Sequence, residues 1–101
     1  MNFTQLKYFM AVAENLNFTA TAKTLFITQQ ALSAHIAQLE TELDTVLLER
    51  TRPLRLTEAG SKLYAHGKQI LFLEQQLHSE LADISDSKQR TLTLGISSAY
   101  A

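Results

Sequence analysis

Apolar positions along this chain fall into three short helical runs, a brief alternating stretch and one long seven-residue repeat. Phe3, Leu6, Phe9, Met10 and Ala13 share one face of a helix predicted over 3–14. Asn2, with Gln5 three positions on, has the form of a capping box at its start. Asn15-Leu16-Asn17 breaks the pattern, and Asn17 is placed to cap a second helix over 18–25. That helix puts Phe18, Ala22 and Leu25 on one side. Phe26-Ile27 forms a tight turn. Thr28 then caps a third helix, over 28–39, whose pattern turns Leu32, Ile36, Leu39 and Leu43 inward.

From 44 to 57 the pattern changes to that of a short hairpin. Val46-Leu47-Leu48 supplies apolar anchors, Arg52-Pro53 marks a bend, and Leu54-Arg55-Leu56 alternates as a strand does. Thr57 caps a long helix predicted to run to about Ile84, with Glu58 at the positive end of its dipole. Leu56, Leu63, Ile70, Leu77 and Ile84 recur every seven residues, and Leu73 and Leu81 widen that stripe. A helix of ~28 residues is roughly 40 Å long. A small three-helix core cannot cover that length, so Leu63, Ile70, Leu73, Leu77, Leu81 and Ile84 are expected to meet a second copy. Residues 85–90 read as a polar linker and 91–97 as a strand without a partner. The expected organisation is therefore 1–58 as a compact domain, 59–85 as a pairing helix, and 86–101 as a hinge and first strand of a further domain. On this reading the chain is the front piece of a longer protein.

Composition changes this picture in one respect. The 101 residues carry a net charge of −1, which by itself argues weakly against a nucleic-acid partner. The distribution argues the other way. No acidic residue lies between Asn15 and Leu39, and Arg50, Arg52, Arg55, Lys62 and Lys68 gather with only Glu58 among them. A surface facing phosphates must exclude carboxylates, which repel the polyanion and are costly to desolvate beside it. Acids cluster elsewhere, at Glu40, Glu42, Asp44 and Glu49 and again at Glu74, Glu80, Asp83 and Asp86.

Other chemistry finds little support. There is no cysteine, so disulfides are excluded. Ser33 and Ser61 lack a visible His–acid partnership, and His66 and His78 have no metal-binding spacing. Neither an enzyme, a metal site nor a cofactor is expected. No signal peptide or membrane-length apolar run is present, which predicts a cytoplasmic protein with no membrane partner.

Ala22 and Leu32 stand ten positions apart across the turn, as a small crossing residue and an apolar seal do in a helix-turn-helix. The second helix of such a unit presents its N-terminal end to a major groove. Thr28, Gln29, Gln30, Ser33 and Ala34 occupy that end, with His35 and Gln38 further along. Glutamine can bond adenine N6 and N7 together, and serine or threonine can bond bases or phosphates. The predicted fold is mainly α: a winged helix-turn-helix of three helices and a two-stranded wing, followed by a long dimerisation helix. The competing reading is a winged-helix module for protein interaction that has lost useful DNA affinity, separable by a salt titration of duplex binding.

Several blocks together resemble the N-terminal domain of LysR-type transcriptional regulators. They are Gln5-Leu6-Lys7-Tyr8-Phe9, Asn17-Phe18-Thr19, Thr28-Gln29-Gln30-Ala31-Leu32-Ser33, Ile36-Ala37-Gln38-Leu39-Glu40, Leu47-Leu48-Glu49-Arg50 and Leu56-Thr57-Glu58-Ala59-Gly60. The resemblance covers about residues 1–60, and the long helix and Leu92-Thr93-Leu94-Gly95-Ile96 match the family's linker helix and effector-domain opening. It implies a sequence-specific regulator that binds double-stranded DNA as a homodimer, with tetramers in most full-length members. It implies a reading helix with Thr19 beside it, and a wing whose Arg50, Arg52 and Arg55 reach the minor groove or its phosphates. It also implies a small-molecule effector bound by a separate C-terminal domain. Three positions depart from the family: Gln30 stands where proline is usual, Ala34 where a basic residue is frequent, and Ala20 where arginine is frequent. Lys23 is the one fixed positive charge left on the helix pair, so electrostatic attachment is expected to fall on the wing.

Overall fold

The computed structural model describes the backbone of residues 1–91 and the side chains of 1–85. The expected strand over 91–97 and the rest of the tail fall outside the described residues, apart from Thr91. Contacts divide the chain into two units, Met1–Leu71 and Phe72–Ala101.

The first unit contains α1 (Phe3–Asn15), α2 (Phe18–Leu25), α3 (Gln29–Leu43), β1 (Leu48–Glu49), β2 (Arg55–Leu56) and the start of α4 (Glu58–Thr91). Each helix begins on the cap its sequence supplies. The Asn2 side chain accepts from the Gln5 N–H at 2.7 Å, and Gln5 Oε1 accepts from the Asn2 N–H at 3.2 Å. Asn17 Oδ1 accepts from the Ala20 N–H at 2.9 Å and Thr28 Oγ1 from the Ala31 N–H at 3.0 Å. Such caps are worth about 1 kcal/mol each. The C-terminal ends are less ordinary. Leu16, Phe26 and Asp44 all take left-handed backbone, with φ of 51°, 59° and 53°. At α2 the Ile27 N–H reaches the Ala22 carbonyl and at α3 the Thr45 N–H reaches that of Glu40. These bonds satisfy carbonyls that the helix itself leaves orphaned.

Leu6, Phe9, Met10, Val12 and Ala13 from α1 meet Ala22 from α2, Leu32, Ile36 and Leu39 from α3, and Leu47 and Leu48 at the wing's root. Full burial of side chains this large is worth about 1.5–3 kcal/mol each. Ala22 and Leu32 do the work expected of a helix-turn-helix pair: both are buried, and the small alanine lets the helices cross closely. Val12, Gln5 and Thr21 are also buried, beyond the residues expected.

β1 and β2 pair antiparallel, with Leu48 opposite Leu56 and Glu49 opposite Arg55. The wing's root is stitched to the start of α4. Thr57 Oγ1 accepts from the Gly60 N–H and donates to the Val46 carbonyl, while the Thr57 N–H bonds the Leu47 carbonyl. Gly60 is buried there, and a Cβ at this position would overlap the Leu47 carbonyl oxygen. Gly67 lets α4 lie against α1, since a Cβ would stand 2.6 Å from Met10 Sδ.

Three expectations change. Phe3, Leu43 and Val46, assigned inward, are 48%, 38% and 60% exposed. Phe3 and Leu43 lie in terminal turns that outrun the small core, and the chain turns Leu47 and Leu48 inward together, leaving Val46 out. Leu63 and Ile70, assigned to a partner-facing seam, are half-buried against the core of their own chain, because this part of α4 lies along α1. Helix α4 does not stop near Ile84 but continues through the expected linker to Thr91. Nothing in that polar stretch is a glycine or proline to end it.

The second unit, as far as it is described, is the outer part of α4. Phe72, Leu73, Leu77, Leu81 and Ile84 are exposed there, each by more than half. His78 Nε2 lies 3.0 Å from Glu74 Oε2 one turn away.

Candidate nucleic-acid interface

Helix α3 has one buried and one open face because its apolar residues recur every three to four positions. Burying Leu32, Ile36 and Leu39 turns Gln29, Gln30, Ala34 and Gln38 outward, with Ser33 at the margin. The structure therefore brings together most of the residues singled out on the reading helix. His35 is the exception. Its ring packs edge-on against Tyr8 of α1, with centroids 4.9 Å apart, so it stands apart from the outward set.

A groove of about 570 Å³ runs beside this face, lined by Asn17, Phe18 and Thr19, by Gln29 and Ser33, and by the wing from Arg50 to Leu54. Thr19 and Gln29 meet across it: Thr19 Oγ1 donates to Gln29 Oε1 at 3.0 Å. The bond holds the amide in one orientation while leaving its NH2 and a second oxygen lone pair for another partner. Thr28 Oγ1 is engaged as the helix cap, but its own hydrogen remains available to donate.

The three wing arginines, which the sequence does not tell apart, are not equivalent in the structure. Arg50 Nη2 lies 3.6 Å from Glu40 Oε1, and Nη1 donates to Ser33 Oγ at 3.2 Å. Its guanidinium carbon sits 4.9 Å from the Phe18 ring centroid, within cation–π range. Arg55 pairs with Glu49, its opposite across the hairpin, at 3.3 Å. Arg52 is exposed at the wing's bend and makes no ion pair among the described residues. The bend is held by the Thr51 hydroxyl, which donates to the Pro53 carbonyl at 3.0 Å.

Glu40 is the residue the sequence reading missed. Its Oε2 accepts from the Leu47 and Leu48 N–H groups at 2.8 and 3.2 Å, while Oε1 faces Arg50. One carboxylate at the end of α3 thus holds the wing's backbone and its first arginine. The signal was present: Glu40 is the first carboxylate after the acid-free stretch. In the sequence it stands out only as a member of the acidic cluster Glu40, Glu42, Asp44 and Glu49. Among the described residues no group of His, Cys, Asp or Glu is arranged to hold a metal ion, and no helix is long and apolar enough to cross a membrane.

Residues 3–61 match the profile of "Bacterial regulatory helix-turn-helix protein, lysR family". The regulator CatR of Pseudomonas putida is 44% identical over 90 residues, covering 89% of this chain and 28% of CatR. The regulator BudR of Raoultella terrigena is 42% identical across the full chain, covering 35% of BudR. The chain thus spans about a third of the length of these relatives. Among solved structures, that of the BenM_DBD/catB site 1 DNA complex superposes with a TM-score of 0.83 at 38% identity, covering 86% of this chain and 95% of that one. With the helix pair, the wing and the long helix in the order that family shares, this chain belongs to the LysR family of bacterial regulatory helix-turn-helix proteins.

Proposed function

We propose that the chain is the DNA-binding part of a transcription regulator, placing α3 in a major groove and the wing against the flanking backbone or minor groove. The observation that carries this reading is the shared groove, where Gln29 and Ser33 of α3 face Arg52 of the wing without an unpaired carboxylate. The likeness to BenM, solved with DNA, supports it. Gln29, Gln30, Ser33, Ala34 and Gln38 supply the base-facing surface, Thr19 and Thr28 border it, and Arg52 supplies the charge least engaged within the protein. Residues 1–58 form the reading module, and the outer part of α4 pairs with a second copy through Leu73, Leu77, Leu81 and Ile84. Higher assembly and a small-molecule response belong to the additional length that the relatives carry. The activity is binding in the cytoplasm rather than catalysis.

The test is a fluorescence titration of duplexes selected from a randomised library, repeated across salt concentrations. Sequence-dependent binding whose logarithmic affinity falls linearly with the logarithm of salt is expected. Equal, weak binding to selected and scrambled duplexes would favour a protein-interaction module instead.

A further inference from the structure

We propose that Arg50, anchored by Glu40, is a positioning residue that fixes the Ser33 hydroxyl as a donor toward the bases, rather than a phosphate contact. The inference rests on the DNA-binding reading above and assigns one wing arginine a different task. Three groups engage its guanidinium, and two more hold the carboxylate that anchors it. Ser33 Oγ accepts from Nη1, Glu40 Oε1 faces Nη2, and the Phe18 ring lies beneath. The far oxygen of Glu40 is tied to two wing amides. The Glu40 side chain is only 17% exposed, so the carboxylate is poorly placed to turn away from its arginine.

Two consequences follow from this arrangement. The positive charge of Arg50 is already balanced inside the protein, so docking on DNA releases few counterions on its account. And Ser33 Oγ, which accepts from Arg50, keeps its own hydrogen to give away. In the major groove guanine, adenine and thymine offer acceptor atoms, whereas cytosine offers a donor. With one lone pair taken by Arg50, Ser33 Oγ keeps its hydrogen to donate but only a single lone pair to accept with, so donation to guanine, adenine or thymine is favoured over acceptance from cytosine at the base edge it faces. Arg50 links the wing to the base-facing end of the reading helix at Ser33, so a change in the wing's root is felt in base choice.

The experiment compares the unmodified chain with Arg50→Met, Ser33→Ala and their double variant, on a selected duplex and its single-base substitutions. Methionine keeps the packing on Phe18 and removes both charge and donor. Arg50→Met is expected to lose about tenfold of the discrimination against cytosine at one position while keeping the salt slope. It should have no further effect in the Ser33→Ala background. A uniform loss across duplexes, with the salt slope falling by about one unit, would mark a phosphate contact and overturn the proposal. Glu40→Gln provides a second arm that does not depend on the folding of Arg50→Met. It keeps an acceptor for the wing amides but frees the arginine, so the salt slope should steepen; an unchanged slope overturns the proposal. Failure of the unmodified chain to prefer any duplex would instead sink the DNA-binding reading, a different result from either.

Discussion

At the residue scale, Phe26 is the costliest choice in the helix-turn-helix. It takes left-handed backbone in a turn where glycine would do so freely, and its side chain is 94% exposed. The conformation costs an L-residue roughly 1–2 kcal/mol, and no packing is recovered. Phe26→Gly should stabilise the chain by about 1 kcal/mol and raise the melting temperature by a few degrees, read by circular dichroism. An unchanged or lowered melting temperature would show that Phe26 is held by something other than its backbone. Arg52 and Gln29 separate two kinds of contact. Arg52→Ala should weaken every duplex alike and lower the salt slope by about one unit. Gln29→Ala should cost roughly 1–3 kcal/mol on the preferred sequence and flatten the preference. Equal effects on selected and scrambled duplexes for Gln29→Ala would remove it from the reading set.

Elements meet through two glycines of α4, and the two differ in what stands against them. At Gly60 a new Cβ meets backbone, the Leu47 carbonyl, in the stitch between wing and helix. At Gly67 it meets the ends of Met10 and Leu6, which can turn aside. Alanine at either site gains about 1 kcal/mol of helix propensity over glycine. Gly60→Ala should nevertheless destabilise the chain by about 1–3 kcal/mol, because the wing must shift. Gly67→Ala should be within about 1 kcal/mol of neutral. Chemical denaturation of the two variants tests the contrast, which fails if their midpoints fall together.

For the whole molecule the open question is what covers the outer part of α4. Leu73, Leu77, Leu81 and Ile84 recur on one stripe and are exposed within a single copy. Pairing with a second copy would bury them, at on the order of 1.5–3 kcal/mol per side chain. Sedimentation at micromolar concentration should show a dimer, and Leu77→Asp should shift it toward monomer with little change in helix content. A monomeric unmodified chain would refute the pairing. Loss of the dimer should also weaken binding to two-half-site duplexes far more than to single half-sites, since linked sites gain from effective concentration.

The helix caps, the turn at Phe26-Ile27, the Ala22 and Leu32 pair and the hairpin over 44–57 were legible in the sequence because each rests on neighbours within a few residues. A cap needs only a side-chain oxygen next to an amide, and a buried face needs only the right period. Positions near element ends were not legible: the same period that marks Leu6 and Leu39 marks Phe3 and Leu43, and only the extent of the core separates them. Nor did the seven-residue stripe reveal that Leu63 and Ile70 cover their own chain while Leu77 and Ile84 stay open. The roles of the charges were decided by the tertiary structure alone. Arg50, Arg52 and Arg55 are alike as letters, but folding brings Glu40 to the first and Glu49 to the third, and leaves the second without an ionic partner among the described residues. Ion pairing depends on distance in space, and the contact between Glu40 and Arg50 exists only once α3 and the wing have packed together.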